Sequence, residues 1–232
     1  MAYKKKKLEL FNIKLTISDL CFFYKQVSLN RSFMRSTHNL FLHRKINIKQ
    51  NCADFGSGNK NDYFNFINKK KIKIDQFDLH KLDKNFYVLD LEKKFKLKKR
   101  YNHILLFNVL EHIYNKENLI KSLTKSLNKY GKLDIFVPFM FRYHSDPDDF
   151  FRPTHSYLFK ILNKNGFKTK ITLIAVGPMS VILEILFKYL KFKSLKFLIS
   201  ILFILLNNFF KYFSKDFSNY YCGVHCSSIK TK

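Results

Sequence analysis

The segment Asp54-Phe-Gly-Ser-Gly58 places a carboxylate at the end of an apolar run and glycines at the second and fourth positions after it. Glycines there permit a tight turn and let a ligand lie against bare backbone, as nucleotide-binding sites require. The chain holds only 6 glycines, so two in one loop mark a place where the backbone needs them. Asp75 lies 21 residues beyond Asp54, about where a dinucleotide-binding unit sets the carboxylate that accepts ribose hydroxyls. Asp78 is the rival for that role. A second group of reactive side chains runs from Arg142 to Thr154, through His144-Ser-Asp-Pro-Asp-Asp-Phe-Phe-Arg152. An unperturbed His titrates near neutral pH, so His144 is the expected base for an acceptor hydroxyl. Asp146, Asp148 or Asp149 could orient it or bind substrate. The alternative is a solvated turn whose acids pair with Arg142 and Arg152. His144, Asp146 and His155 have no spacing diagnostic of a metal site, and no metal is expected. Cys222-Gly-Val-His-Cys226 lacks the second pair of a zinc site, so burial in a strand is expected instead.

These residues need a scaffold, and the apolar pattern supplies one. Short apolar runs near 51–55, 72–75, 86–89, 103–108, 132–137, 170–176 and 220–229 predict strands. Helical stretches between several of them point to βαβ units and a mainly parallel sheet. The run from His103 to Asn108 is nearly all apolar, as a strand covered on both faces should be. Leu119, Ile120, Leu123 and Leu127 have helical spacing within Lys116–Lys129, which Tyr130-Gly131 is expected to close. A second helix is expected from Thr154 to Asn165, ending at Gly166. Residues 178–213 break this rhythm. Pro178 suits a first helical turn, and Val181, Ile182, Ile185, Leu186, Tyr189 and Leu190 follow a period of 3.6. Glu184 and Lys188 are spaced for a favourable i,i+4 pair. The apolar stretch 197–206 reaches about 15 Å as a helix, roughly half a bilayer core, so spanning is not expected.

Three segments, in this order and spacing, resemble class I S-adenosylmethionine-dependent methyltransferases of the type 11-like subgroup. Asp54-Phe-Gly-Ser-Gly58 resembles the first motif of that superfamily. Tyr101 to Ile113, above all Val109-Leu-Glu-His112, resembles its later "VLEH" segment. Asn128 to Pro138 is similar to the turn and strand that follow. The stretch from His144 to Thr154 resembles a segment found in a subgroup associated with small-molecule or surface-glycan methylation. The resemblance covers about residues 45–175. It implies a Rossmann-like three-layer α/β sandwich, with a mainly parallel seven-stranded sheet, an antiparallel last strand and a helical apolar insertion before it. It further implies that Asp54, Gly56, Ser57 and Gly58 line the methionine end of S-adenosyl-L-methionine and that Asp75 holds its ribose. Asp90 and Leu91 would sit by the adenine, and Asn108 would face the sulfonium side. Arg142, Asp149 and Arg152 would bind the acceptor, with His144 and Asp146 in catalysis. Glu111-His112 serves packing or a cap as readily as chemistry. The superfamily's frequent third glycine is Lys60 here, a departure that bears on the loop.

With 232 residues, 47% hydrophobic, the chain suits one α/β domain. Its expected parts are a helical extension at 1–50, a cofactor-binding core at 51–177, the apolar insertion at 178–213, and a last strand and tail at 214–232. The net charge of +26 favours anionic partners such as nucleic acid or anionic lipid. Lys, Asn, Ile and Phe are over-used together, as A+T-rich codons would produce, and the lysines form no single arm. The expected function is therefore methyl transfer to a small-molecule, glycan-linked or lipid-linked acceptor. RNA methylation and a non-catalytic membrane-peripheral scaffold are the alternatives. No signal-peptide pattern is visible, so a cytoplasmic setting is expected. The 178–213 segment could cap the active site or contact a membrane.

Overall fold

Apolar strands buried on both faces form the middle of the sheet, and the polar ends of those strands gather the residues singled out above. The computed structural model describes residues 8–48, 50–58, 62–69, 72–80 and 86–231; Lys60 lies outside them. Its elements are β1 (Glu9–Phe11), α1 (Ile17–Ser28), α2 (Phe33–Lys45), β2 (Asn47–Ile48), β3 (Cys52–Phe55), β4 (Asn68–Lys69), β5 (Ile74–Asp78), β6 (Phe86–Val88), β7 (Tyr101–Phe107) and α3 (Lys116–Ser126). They continue with β8 (Leu127–Pro138), α4 (His155–Lys164), β9 (Phe167–Val176), α5 (Pro178–Phe187), α6 (Lys193–Phe213) and β10 (Tyr221–Lys230). The main sheet has the order β1-β9-β10-β8-β7-β3-β5-β6. Its pairs are parallel except those of β10, which runs antiparallel to both β8 and β9. β2 and β4 form a separate parallel pair.

Two apolar layers cover the sheet. Leu119, Ile120 and Leu123 of α3 pack with Leu158, Ile161 and Leu162 of α4 on one side. Phe23 of α1, Phe33 and Leu40 of α2 and Leu183 of α5 pack on the other. This is a three-layer α/β sandwich. The chain leaves β3 toward β5 on one side and returns as β7 on the other. Such a switch in strand order opens a crevice at the carboxyl ends of the strands, where ligands bind in open α/β sheets.

Several expectations need correction. The sheet has eight strands among the described residues, because Glu9–Phe11 inside the supposedly helical extension pairs in parallel with Thr172–Ile174 of β9. Helix α3 ends at Ser126, and Leu127 begins β8 opposite Tyr101. Tyr130 and Gly131 therefore lie inside a strand, where a Cβ on Gly131 would meet the Asn128 carbonyl at 2.9 Å. Glu184 does not reach Lys188. It is buried and accepts from the Met34 amide at 2.6 Å, capping the start of α2. The helix containing 197–206 is 21 residues long, about 32 Å. Its mean hydropathy of 1.5 meets the length and composition of a membrane span. One narrow face, Ser200, Ile204 and Asn207, packs on the domain, and Asn207 Nδ2 donates to the Val176 carbonyl at 2.7 Å. The opposite face bares Leu198, Leu202, Leu205, Phe209 and Phe213, each at least half exposed.

Candidate active site

The glycine loop leaves β3 as two left-handed residues, Gly56 at φ 68° and Gly58 at φ 59°, a region that residues with a Cβ enter at a cost of about 1 kcal/mol or more. The Gly56 amide donates to the Phe77 carbonyl at 2.7 Å, and the Gly58 amide donates to Asp78 Oδ2 at 2.8 Å. A Cβ built on Gly58 meets nothing within 4 Å among the described residues. Buried Ser57 lies between them. Behind the loop, Asp54 is fully buried at the end of β3 and accepts the Tyr63 hydroxyl on one oxygen. Its Oδ1 has no hydrogen-bond partner. Burial pushes its carboxyl up to about 8, against the lowering effect of the Tyr63 bond.

The carboxylate beside this loop is Asp78, not Asp75. Asp75 pairs in register with Ala53 at the start of its strand, about 10 Å back along β5 from Asp78. There it is held by Lys99 Nζ at 2.7 Å and the Tyr101 hydroxyl at 2.9 Å. Asp78 ends β5, and the Leu89 amide after β6 donates to its carbonyl at 2.8 Å. Asp90 follows, fixed by the Glu92 amide at 3.0 Å and by Lys93 at 3.1 Å, with Leu91 buried beneath. The Lys93 bond holds the Asp90 carboxyl below its usual range. On the other side of β3, Asn108 leaves β7 in a left-handed conformation, φ 54°, and its amide donates to the Phe136 carbonyl at 2.8 Å. In place of the helix that commonly follows the first strand, the described residues hold a single 3-10 turn, Asp62–Asn65.

Asn108 also lines a cavity of about 310 Å³ walled by Arg31, Arg35, His38, Tyr63, Arg142 and His144. A second cavity, about 510 Å³, shares Asn30, Arg31, Ser32, Phe141 and Arg142 with it and extends to Ile185, Tyr189 and Lys196 of the α5–α6 hairpin. Arg35 forms no ion pair with a carboxylate among the described residues, and burial together with Arg31 lowers its pKa. His144 borders the cavity, and burial lowers its pKa. In the rest of its loop Asp149 follows the alternative reading, an acid paired with Arg152. Asp149 accepts from the His144 amide at 2.9 Å and from both terminal nitrogens of Arg152. Asp149 and Arg152 are thus spent on each other and on holding His144, leaving Arg142 as the one of the three expected acceptor ligands that lines the cavity. Asp146 is exposed, so the catalytic place expected for it is not supported. His155 bonds the Tyr221 hydroxyl at 3.2 Å. Cys222 and Cys226 are buried in β10, as expected.

Two groupings were not foreseen, one joining Glu111 and His112 to His144 and the other beneath the cavity. Glu111 is buried next to His112 and His144, and both its oxygens lack hydrogen-bond partners. Burial raises its carboxyl to about 8. Beneath the cavity, His38 Nε2 lies 3.1 Å from His225 Nδ1, and His225 Nε2 lies 3.1 Å from Asp134. His103 Nε2 approaches the other oxygen of Asp134 at 2.6 Å. Burial would raise the Asp134 carboxyl, but the bonds from His103 and His225 hold it well below its usual range. Burial and the neighbouring His225 lower His38.

The sequence matches no protein-family model and no curated protein. Solved structures do share its architecture. The cyclase SpnF superposes with a TM-score of 0.54 at 11% identity, over 86% of this chain and 84% of that one. Phosphoethanolamine N-methyltransferase 2 of Haemonchus contortus, solved with S-adenosyl-L-methionine, gives 0.54 at 12% identity, over 94% of this chain and 58% of that one. An S-adenosylmethionine-dependent methyltransferase of Mesorhizobium loti gives 0.50 at 7% identity, over 78% and 91%. The fold is the one these methyltransferases share. A cyclase shares it too, so the reaction has to be argued from the site.

Proposed function

We propose that the protein binds S-adenosyl-L-methionine at the β3 loop and transfers its methyl group to an oxygen or nitrogen of a small-molecule, glycan-linked or lipid-linked acceptor. The observation that carries this reading is the glycine loop bonded to Asp78 at the switch in strand order, beside β7, whose following residue Asn108 lines the 310 Å³ cavity. The residues fit the cofactor. Gly56 and Gly58 turn the chain in left-handed conformations, Asp78 ends the strand that should present a carboxylate to ribose hydroxyls, and Asp90 follows the third strand of that half. The buried, unpartnered Asp54 Oδ1 suits an ammonium group, whose charge would draw its proton away. When bound, the cofactor supplies an activated methyl group. The protein's part is to hold the acceptor in line and keep water out. Arg35 and Arg142 on the cavity wall favour an acceptor that carries negative charge. The second cavity, running toward the exposed apolar hairpin, favours one that also carries an apolar chain. Such an acceptor lies at a membrane surface, and the lysines around α6 suit an anionic one.

Calorimetry with S-adenosylhomocysteine tests the core of this reading. Wild-type protein should bind it, and Asp78→Ala should bind about 10- to 100-fold more weakly, the loss of one or two charge-assisted hydrogen bonds. Asp75→Ala should leave the affinity within about twofold, since Asp75 faces Lys99 and Tyr101. Wild-type protein that binds neither this ligand nor S-adenosyl-L-methionine would refute the proposal.

A further inference from the structure

We propose that Glu111, His112 and His144 form a site for one divalent transition-metal ion in the wall of the acceptor cavity. Glu111 Oε1 lies 3.8 Å from His112 Nε2 and 4.0 Å from His144 Nε2. One ligand atom from each of the three residues lies within 4.8 Å of the others. These separations exceed any hydrogen bond, so the three groups do not satisfy one another. They are close to the spacing of about 3.4 Å that ligands adopt around a shared ion held at 2.0–2.2 Å. Side-chain movements of less than about 1 Å close the gap.

The surroundings orient both rings toward one point. His112 Nδ1 is bonded to the Asp148 carbonyl, and His144 Nδ1 faces two acceptors, the Arg142 carbonyl at 3.3 Å and Asp149 Oδ2 at 3.4 Å, against one donor, Arg152 at 3.4 Å. A ring that donates through Nδ1 presents the lone pair of Nε2, and in metal sites the remote ring nitrogen is fixed by such an acceptor. Both rings turn Nε2 to the same carboxylate. That carboxylate is buried and has no hydrogen-bond partner on either oxygen, a costly state that a cation would relieve. Arg152, the cation whose field acts most strongly on Glu111, is already neutralised by Asp149. Two imidazoles and one carboxylate suit zinc, iron(II) or manganese(II) better than calcium or magnesium. Because His144 is half-buried at the cavity, the remaining coordination positions face the space where an acceptor would lie. If the methyl-transfer reading holds, an acceptor hydroxyl bound there would be acidified by the ion and release its proton to solvent, with His144 a ligand and not the base.

The test uses the 232-residue protein freed of metal by chelator and titrated with Zn2+, Mn2+ and Co2+. The expected result is uptake of one equivalent, with a visible absorption spectrum for Co2+ that reports imidazole ligation. Glu111→Gln and His144→Ala should each weaken uptake at least tenfold, while His155→Ala, outside the cluster, leaves it unchanged. Circular dichroism identifies any variant that fails to fold, and His144→Ala, at the cavity surface, keeps the test decisive should Glu111→Gln misfold. Wild-type protein that takes up none of the three ions, or uptake that survives both substitutions, would overturn the proposal. S-adenosylhomocysteine binding measured on the same metal-free samples reports the methyl-transfer reading separately, since the glycine loop and Asp78 contribute no ligand to the cluster.

Discussion

At the scale of single residues, burial decides which charges can act. Glu184 caps α2 through the Met34 amide, yet burial raises its carboxyl to about 7 despite that bond and the nearby Ser32, Arg142 and Arg35. An acid whose folded pKa lies above its unfolded value stabilises the fold only while protonated in it. Its contribution is complete below about 4.5 and is lost as pH rises through about 7. The difference corresponds to roughly 3 kcal/mol. Thermal unfolding from pH 5 to 8 should therefore show wild-type stability falling, and Glu184→Gln should flatten the slope below pH 7. Asp54 continues the same trend up to about 8. An unchanged slope in the variant would mean that Glu184 titrates normally. Single residues were also the hardest to place from the sequence. Asp54 ends β3, Gly56 and Gly58 form the loop after it, and Asn108 follows β7. Asp75 lies three residues before the end of β5, which was expected at Asp75 and falls at Asp78. The correct end depends on Asp75 being buried by Lys99 and Tyr101, which come 24 and 26 residues later in the chain. Glu111, His112 and His144 are brought together by a loop whose course no local pattern encodes.

At the scale of elements, β7, α4 and β10 were legible because each carries a long apolar signal of one period. The end of α3 was not, because Leu127 has helical spacing but is buried as the first residue of a strand. Nor was β1, whose three residues pair only by meeting the edge of β9. Helix α6 was foreseen as apolar, but its length and two-faced packing were not. The face bearing Leu198, Leu202, Leu205 and Phe209 covers nothing in the domain, and the anchoring of Asn207 to Val176 keeps the helix lying along the surface. This geometry predicts docking in the plane of a membrane interface. In co-sedimentation, wild-type protein should bind vesicles containing anionic phosphatidylglycerol, and Leu202→Glu with Leu205→Glu should reduce binding at least tenfold. Sedimentation of the free protein as a dimer that the same pair of substitutions dissolves would assign this face to a second copy instead.

At the scale of the whole molecule, the charge of +26 acts on every anion the protein meets, whatever its function. Charge alone yields binding that decays steeply with salt, whereas burial of α6 in lipid adds a component that salt does not remove. Binding to a single-stranded RNA homopolymer should therefore fall by at least tenfold between about 0.05 and 0.2 M salt, while vesicle binding declines less. RNA affinity that resists salt and depends on sequence would favour the RNA-modifying alternative.

The position of β10 sets how the domain can assemble. It follows both β8 and β9 in sequence, yet it lies between them and pairs with both. Until it is in place, β1 and β9 form an isolated ribbon and β8 ends a five-stranded partial sheet, each with an unpaired edge. Closing the sheet brings together segments far apart in the chain, and such long-range pairing slows folding. Throughout that interval two open strand edges and the apolar α5–α6 hairpin are exposed together, a combination prone to aggregation. Expression conditions that delay completion of the final strand should therefore lower the yield of soluble protein more than changes in the core do.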